Sequence, residues 1–224
     1  MKKTRKRSRH RVRHTIGLVI FFVLVLVAAC DRLLHSQTAE QIDKWWGGIV
    51  EVIYDNGRFG TGFFISKDGI VATSLHIIPG YVGLARDKLA VRINGEFYKA
   101  EIIYDRDKDV DLLLLKIDYK PEFWFDEFAN PEPGMECIVL GYPLAWRAPL
   151  KTLIIQHINS EVLGVNEEVA PRSSGSVVLS MEGVVLGMIK SSHEDEIHGS
   201  FSRGVITHGI FIRMGLEKVR QGMR

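Results

Sequence analysis

Cysteine is nearly missing: the 224 residues contain two, Cys30 and Cys137. A body of about 180 residues is large enough to fold without a disulfide. Cys137 lies in the apolar run ECIVL and reads as a small buried hydrophobe. Internal repeats at solenoid or propeller periods are missing too, as are low-complexity tracts. No stretch of helical period is long enough to build βαβ units, which argues against a parallel α/β fold. Acidic residues are absent before Asp31, and charge of either sign is absent from Thr15 to Ala29. What remains is an ordinary globular composition, 46% hydrophobic and 25% charged, long enough for one large or two small compact units.

The formal net charge of +2 hides an asymmetry. Eight of the 29 Lys and Arg fall in residues 1–14, leaving 21 basic against 27 acidic residues, a net of −6 for the rest. An acidic body has little electrostatic reason to bind nucleic acid, and no nucleic-acid partner is expected. A basic RNA-binding arm or nuclear signal is the other reading of residues 1–14, but they lead directly into the apolar run Ile16–Cys30. Fifteen helical residues span roughly 22 Å, short of the ~30 Å hydrocarbon core. The segment reads as a secretory signal or anchor rather than a buried core helix, with the basic side held in the cytoplasm and the body exported. Two versions stay open. Val27-Ala28-Ala29-Cys30 resembles a lipoprotein box, with Cys30 the lipidated residue; alternatively the segment is an uncleaved anchor extended through Leu33 and Leu34. The expected divisions are a basic n-region (1–14), the hydrophobic membrane segment (15–30) and a connector (31–45) with one helical turn around Ala39–Trp46.

From Ile49 onward short β-type runs alternate with turn signals such as Asp55-Asn56-Gly57, Lys67-Asp68-Gly69 and Asn94-Gly95. Strands at that spacing predict an all-β sandwich or barrel. Pro121–Gly134 has three prolines and no alternation, and reads as a linker. It divides the body into residues 46–122 and 134–224, with 123–133 between. Two all-β halves and a linker suggest a double barrel with a cleft. Gly215–Gln221 reads as a short C-terminal helix.

Three segments carry chemistry. The first is Gly60-Thr61-Gly62-Phe63-Phe64-Ile65, a turn, then Thr73-Ser74-Leu75-His76. The second is Asp111 opening the run Leu112–Ile117. The third is Ser173-Ser174-Gly175-Ser176-Val177, followed by Glu182-Gly183-Val184-Val185-Leu186-Gly187. In this order and spacing they resemble the trypsin-like serine protease family, its bacterial HtrA/Deg branch in particular. There the pattern is G-S/T-G-F-x-I, T-x-x-H, D-L-A-L-L-K-I and G-N-S-G-G-P-L with a following hairpin. Gly141-Tyr142-Pro143-Leu144 is similar to a turn of that branch, and the resemblance covers roughly residues 46–221.

The resemblance implies two six-stranded antiparallel barrels and a serine endopeptidase acting on protein or peptide substrates, without a cofactor. Ser174 would be the nucleophile, His76 its general base, and Asp111 the group that orients and stabilises His76. Arg172, Ser173 and Ser174 would form the oxyanion hole. Glu168, Lys190, Ser191 and Ser192 would wall the specificity pocket. Departures from the pattern are Arg172 where the family has Gly, Ser176 for the next Gly, Val177 for Pro, and no PDZ domain after the second half. Plainer readings compete: His76 as a structural histidine, Asp111 as a strand-start residue, Ser174 as a turn serine beside Ser173. Two wider alternatives are a catalytically weak or inactive relative that binds peptides in the cleft, and an unrelated exported β-barrel adaptor. No metal site is expected. Asp105–Val110 imitates a calcium loop but lacks its sixth-position Gly, and His193 and His198 are five apart rather than four.

Overall fold

The structure, a computed structural model, describes residues 39–54, 57–78, 88–106, 110–156, 163–170, 172–190 and 202–222. The basic and apolar N-terminal segments, Cys30, Ser191 and Ser192 lie outside those residues, as does half of the calcium-loop imitation, residues 107–109. No helix among the described residues is long and apolar enough to cross a membrane.

The chain divides into two compact units, Met1–Lys44 and Trp45–Arg224. Residues 39–46 form helix α1, which includes the turn expected there. In the second unit, Trp45 and Trp46 are buried. Among the described residues thirteen strands follow, all paired antiparallel among themselves. The first half contributes β1 (Ile49–Tyr54), β2 (Arg58–Phe64), β3 (Ile70–Ser74), β4 (Leu89–Ile93), β5 (Glu96–Lys99), β6 (Glu101–Arg106) and β7 (Leu112–Lys116). They form one sheet in the order β5-β4-β1-β2-β3-β7-β6. The second half contributes β8 (Glu136–Gly141), β9 (Ala148–Gln156), β10 (Leu163–Val169), β11 (Val177–Ser180), β12 (Val185–Lys190) and β13 (Ser202–His208). These close into a six-stranded barrel, β10-β13-β12-β11-β8-β9.

The first half therefore has seven strands where six were expected. The extra one is a corner. β5 ends and β6 begins on either side of the single residue Ala100, whose N–H donates to Leu89 O at 3.0 Å. One bent run of chain pairs with β4 through its first part and with β7 through its second. The sheet's two edges are thus joined through the chain itself rather than by a ladder, and the result is barrel-like.

Each half has its own core. Val52, Phe64, Val71, Leu113 and Leu115 belong to the first; Cys137, Val139, Ile154, Val165 and Ile189 belong to the second. The run Leu112–Leu115 is apolar throughout because both faces of β7 are covered. Leu113 and Leu115 look into the first core, while Leu112 lies beside Gly215 of helix α2 (Gly209–Arg220). That helix is longer at its start than the Gly215–Gln221 expected. Ile210 and Ile212 are β-branched and favour strand locally, but Ile212 and Leu216, four apart, bury together on one face, and packing overrides propensity.

Residues 117–135 carry no regular strand, as a linker should. They are nevertheless pinned to both halves: Phe125 N–H donates to Phe64 O at 2.9 Å, and Val185 N–H to Glu127 O at 2.9 Å.

Candidate active site

His76 sits in a 3-10 turn, Leu75–Ile77, immediately after β3. Asp111 stands immediately before β7. β3 and β7 are paired with Ser74 opposite Leu112, so the pairing alone brings the two residues to one end of the sheet. Four contacts fix them there. Leu75 N–H donates to Asp111 O at 3.2 Å, and His76 N–H to Asp111 Oδ1 at 2.9 Å. His76 Nδ1 lies 2.7 Å from Asp111 Oδ2. From the second barrel, the Thr207 hydroxyl donates to Val110 O at 2.5 Å. Asp111 has φ +55°, a left-handed conformation that Asp and Asn tolerate better than other non-glycine residues. The aspartate is 5% exposed and its partner His76 31%, so the carboxylate is buried behind a reachable imidazole.

Ser174 is held by the turn before β11. Gly175 has φ +85°, and a Cβ there would lie 1.8 Å from Thr61 O, so no other residue fits. Gly175 N–H donates to Ile189 O at 2.9 Å and Ser176 N–H to Ser173 O at 2.9 Å. The serine's own carbonyl accepts from Thr61 N–H at 2.8 Å, across the seam from β2. Thr61 is itself fixed by the Thr73 hydroxyl, which donates to its carbonyl at 2.7 Å. A further link, Ser74 Oγ–H to Ile189 O at 3.2 Å, ties β3 to β12. Held this way, Ser174 Oγ lies 2.9 Å from His76 Nε2.

The three residues singled out in the sequence are thus in hydrogen-bond contact, Asp111 to His76 to Ser174. In the tautomer with the proton on Nδ1, His76 donates to Asp111 and accepts from the serine hydroxyl, which is the arrangement a general base requires.

Arg172 has φ +75°, the conformation expected of the glycine it replaces. Ser173 N–H donates to Ala170 O at 3.2 Å, so Arg172 occupies the third place of a four-residue turn preceded by Pro171 in the sequence. Its guanidinium lies 4.9 Å over the Phe59 ring of β2. Among the described residues, no backbone carbonyl accepts from the N–H of Arg172 or Ser174. Ser173 is buried. Of the pocket candidates, Glu168 is exposed on β10 opposite Arg203, and Lys190 is partly buried at the end of β12. Phe59 and Thr207 were not singled out by sequence. Each acts through a partner about a hundred residues away, and neither belongs to a motif.

Two barrels with a serine, a histidine and an aspartate meeting at the seam are the architecture on which double-barrel serine peptidases are built. The chain belongs to the trypsin-like peptidase domain family, whose model matches residues 60–188. It is similar to a probable periplasmic serine endoprotease, DegP-like, from Halomonas elongata, with 26% identity over 139 residues. That match covers 58% of this chain and 28% of the relative. Serine protease HTRA1 of Xenopus tropicalis is 24% identical over 145 residues, covering 58% and 30%. The chain therefore spans about a third of the length of these curated relatives. Among solved structures it resembles a serine endoprotease from Yersinia pestis, with TM-score 0.65, 20% identity, and 83% and 68% of the two chains covered. It also resembles the active form of the Rv3671c protease of M. tuberculosis, with TM-score 0.62, 20% identity, and 80% and 83% covered. At this identity the likeness is one of fold.

Proposed function

We propose that this protein is a membrane-tethered serine endopeptidase whose body works on the extracytoplasmic side. The observation that carries the chemistry is His76 bridging Asp111 at 2.7 Å and Ser174 at 2.9 Å. Nε2 takes the Ser174 proton as Oγ attacks a peptide carbonyl, and returns it to the leaving amine. Asp111 stabilises the imidazolium through Nδ1–H. The carbonyl oxygen gains charge beside the N–H groups of Arg172 and Ser174, the donors expected to hold it. Water, activated by the same histidine, then hydrolyses the acyl-enzyme. The tether is supported by the basic residues 1–14 and the apolar Ile16–Cys30.

A second reading, a cleft that binds peptides with little turnover, is favoured by one observation: Arg172 stands where a glycine is expected and holds a left-handed φ. A fluorophosphonate probe decides between them. Covalent labelling that is lost in Ser174→Ala supports the peptidase; no labelling of the wild-type chain ends that reading. Mass spectrometry of the membrane form separates a lipid on Cys30 from an uncleaved anchor.

A further inference from the structure

Single apolar side chains are ordinary on a protein surface, whereas neighbouring exposed ones mark a surface that makes contacts. Two of the most exposed among the described residues stand two positions apart: Leu144, 53% exposed, and Trp146, 76% exposed. They occupy the short connection between β8 and β9, residues 142–147. This connection is built to hold its shape. Tyr142 N–H donates to Thr61 Oγ1 at 2.9 Å. The Trp46 ring meets the Tyr142 ring edge-on at 5.9 Å, and the Arg147 guanidinium lies 4.8 Å over Trp46. Leu144 itself has φ +51°, a conformation costing a branched side chain ~1–2 kcal/mol. The turn therefore keeps Leu144 strained and in water, next to an exposed tryptophan, on a rigid base.

We propose that residues 142–147 rest in the interface of the lipid bilayer that holds the tether. This inference depends on the tether proposed above. Chain length argues for it. Eight residues, 31–38, separate Cys30 from α1, at most about 29 Å when fully extended, and α1 adds about 12 Å. The last residue of α1, Trp46, is the one that meets Tyr142 edge-on and lies under Arg147, so the turn lies where the tether joins the body. Charge argues for it too. The body carries a net −6, yet no acidic residue occurs from Cys137 to Ser160. Arg147 lies in the turn itself, while Lys151, further along β9, pairs with Glu136 at 3.3 Å. A tryptophan, a leucine and an arginine in one turn match the headgroup boundary, where indole rings settle and cations meet anionic lipid. The contact adds a second, weak attachment to the first, and it fixes which side of the body faces the membrane.

Tryptophan fluorescence of the full chain in phosphatidylcholine–phosphatidylglycerol vesicles tests this, with brominated phosphatidylcholine as the quencher. Trp146 is the most exposed indole, Trp45 and Trp46 are buried, and Trp124 is half-buried against the first core. Bromine quenching of the wild type is expected, with a blue-shifted emission. It should be lost in Trp146→Ser. It should also be lost in Leu144→Asp, which keeps the reporter and relieves an exposed position without disturbing a core. Quenching that persists unchanged in Trp146→Ser overturns the inference. So does an unquenched wild type that floats with the vesicles, a result that leaves the tether standing. Trp146 shielded only at high protein-to-lipid ratio assigns the surface to a second copy and overturns it as well. A full chain that does not float at all removes the tether, and this inference with it.

Discussion

At the scale of single residues, the left-handed backbone at Asp111 and Arg172 makes sharp expectations. Asparagine accepts positive φ as aspartate does, so Asp111→Asn should fold normally while losing its charge and the correct imidazole tautomer. Turnover should fall by about 10⁴-fold with little change in KM, read by peptide hydrolysis. A loss confined to KM would mean that Asp111 binds substrate instead. Arg172 is held over Phe59, a cation–π contact worth ~0.5–1 kcal/mol, against ~1–3 kcal/mol of backbone strain. Phe59→Ala should therefore slow turnover roughly 2–5-fold in the wild type. In an Arg172→Gly background, where positive φ needs no support, it should do nothing. Equal losses in both backgrounds would place Phe59's role elsewhere. His76, Asp111 and Ser174 were legible in the sequence as a candidate triad because each stands in a local motif, and the fold brings them into hydrogen-bond contact. Phe59 was not, since its partner lies 113 positions on and only the folded seam joins them.

Individual elements show where local reading stops. β8 could be read from ECIVLG, with Cys137 as a buried hydrophobe, and there it lies, within the second core. Burial pushes its thiol up to about 12 from the usual 9.0, so the nucleophilic thiolate is suppressed at neutral pH. Iodoacetamide should leave Cys137 unmodified in the folded protein and modify it in urea, as peptide mass mapping would report. Rapid labelling of the native state would mean that β8 opens locally. The start of α2 is not legible locally because its first turns hold isoleucines, whose helical state is decided by packing against β7 and β12. The corner at Ala100 was invisible for a different reason: β5 and β6 form one apolar-and-polar run, and only their separate partners, β4 and β7, reveal two strands.

For the molecule as a whole, the double-barrel plan followed from strand spacing and the linker, whereas the links between barrels did not. Those links include Thr61 to Ser174, Ser74 to Ile189 and Thr207 to Val110. One stability expectation belongs at this scale. His208, where β13 meets α2, has its pKa lowered from 6.5 by burial. Above the usual value both folded and unfolded chains hold it neutral, and it costs nothing. As pH falls below that value the unfolded chain takes the proton first, so stability is lost until the pH passes the lower, folded-state value. The urea midpoint should drop from neutral to mildly acid pH, and His208→Phe should flatten that drop; an unchanged slope would exclude His208 as its source. The seam has a consequence in time as well as in space. Ser174 follows His76 by 98 positions, and ribosomes add ~5–20 residues per second, so the base waits ~5–20 s for its nucleophile. Through that interval the growing polypeptide holds only part of the candidate triad, and the peptidase proposed above stays incomplete until Ser174 and the barrel that carries it have been made and closed.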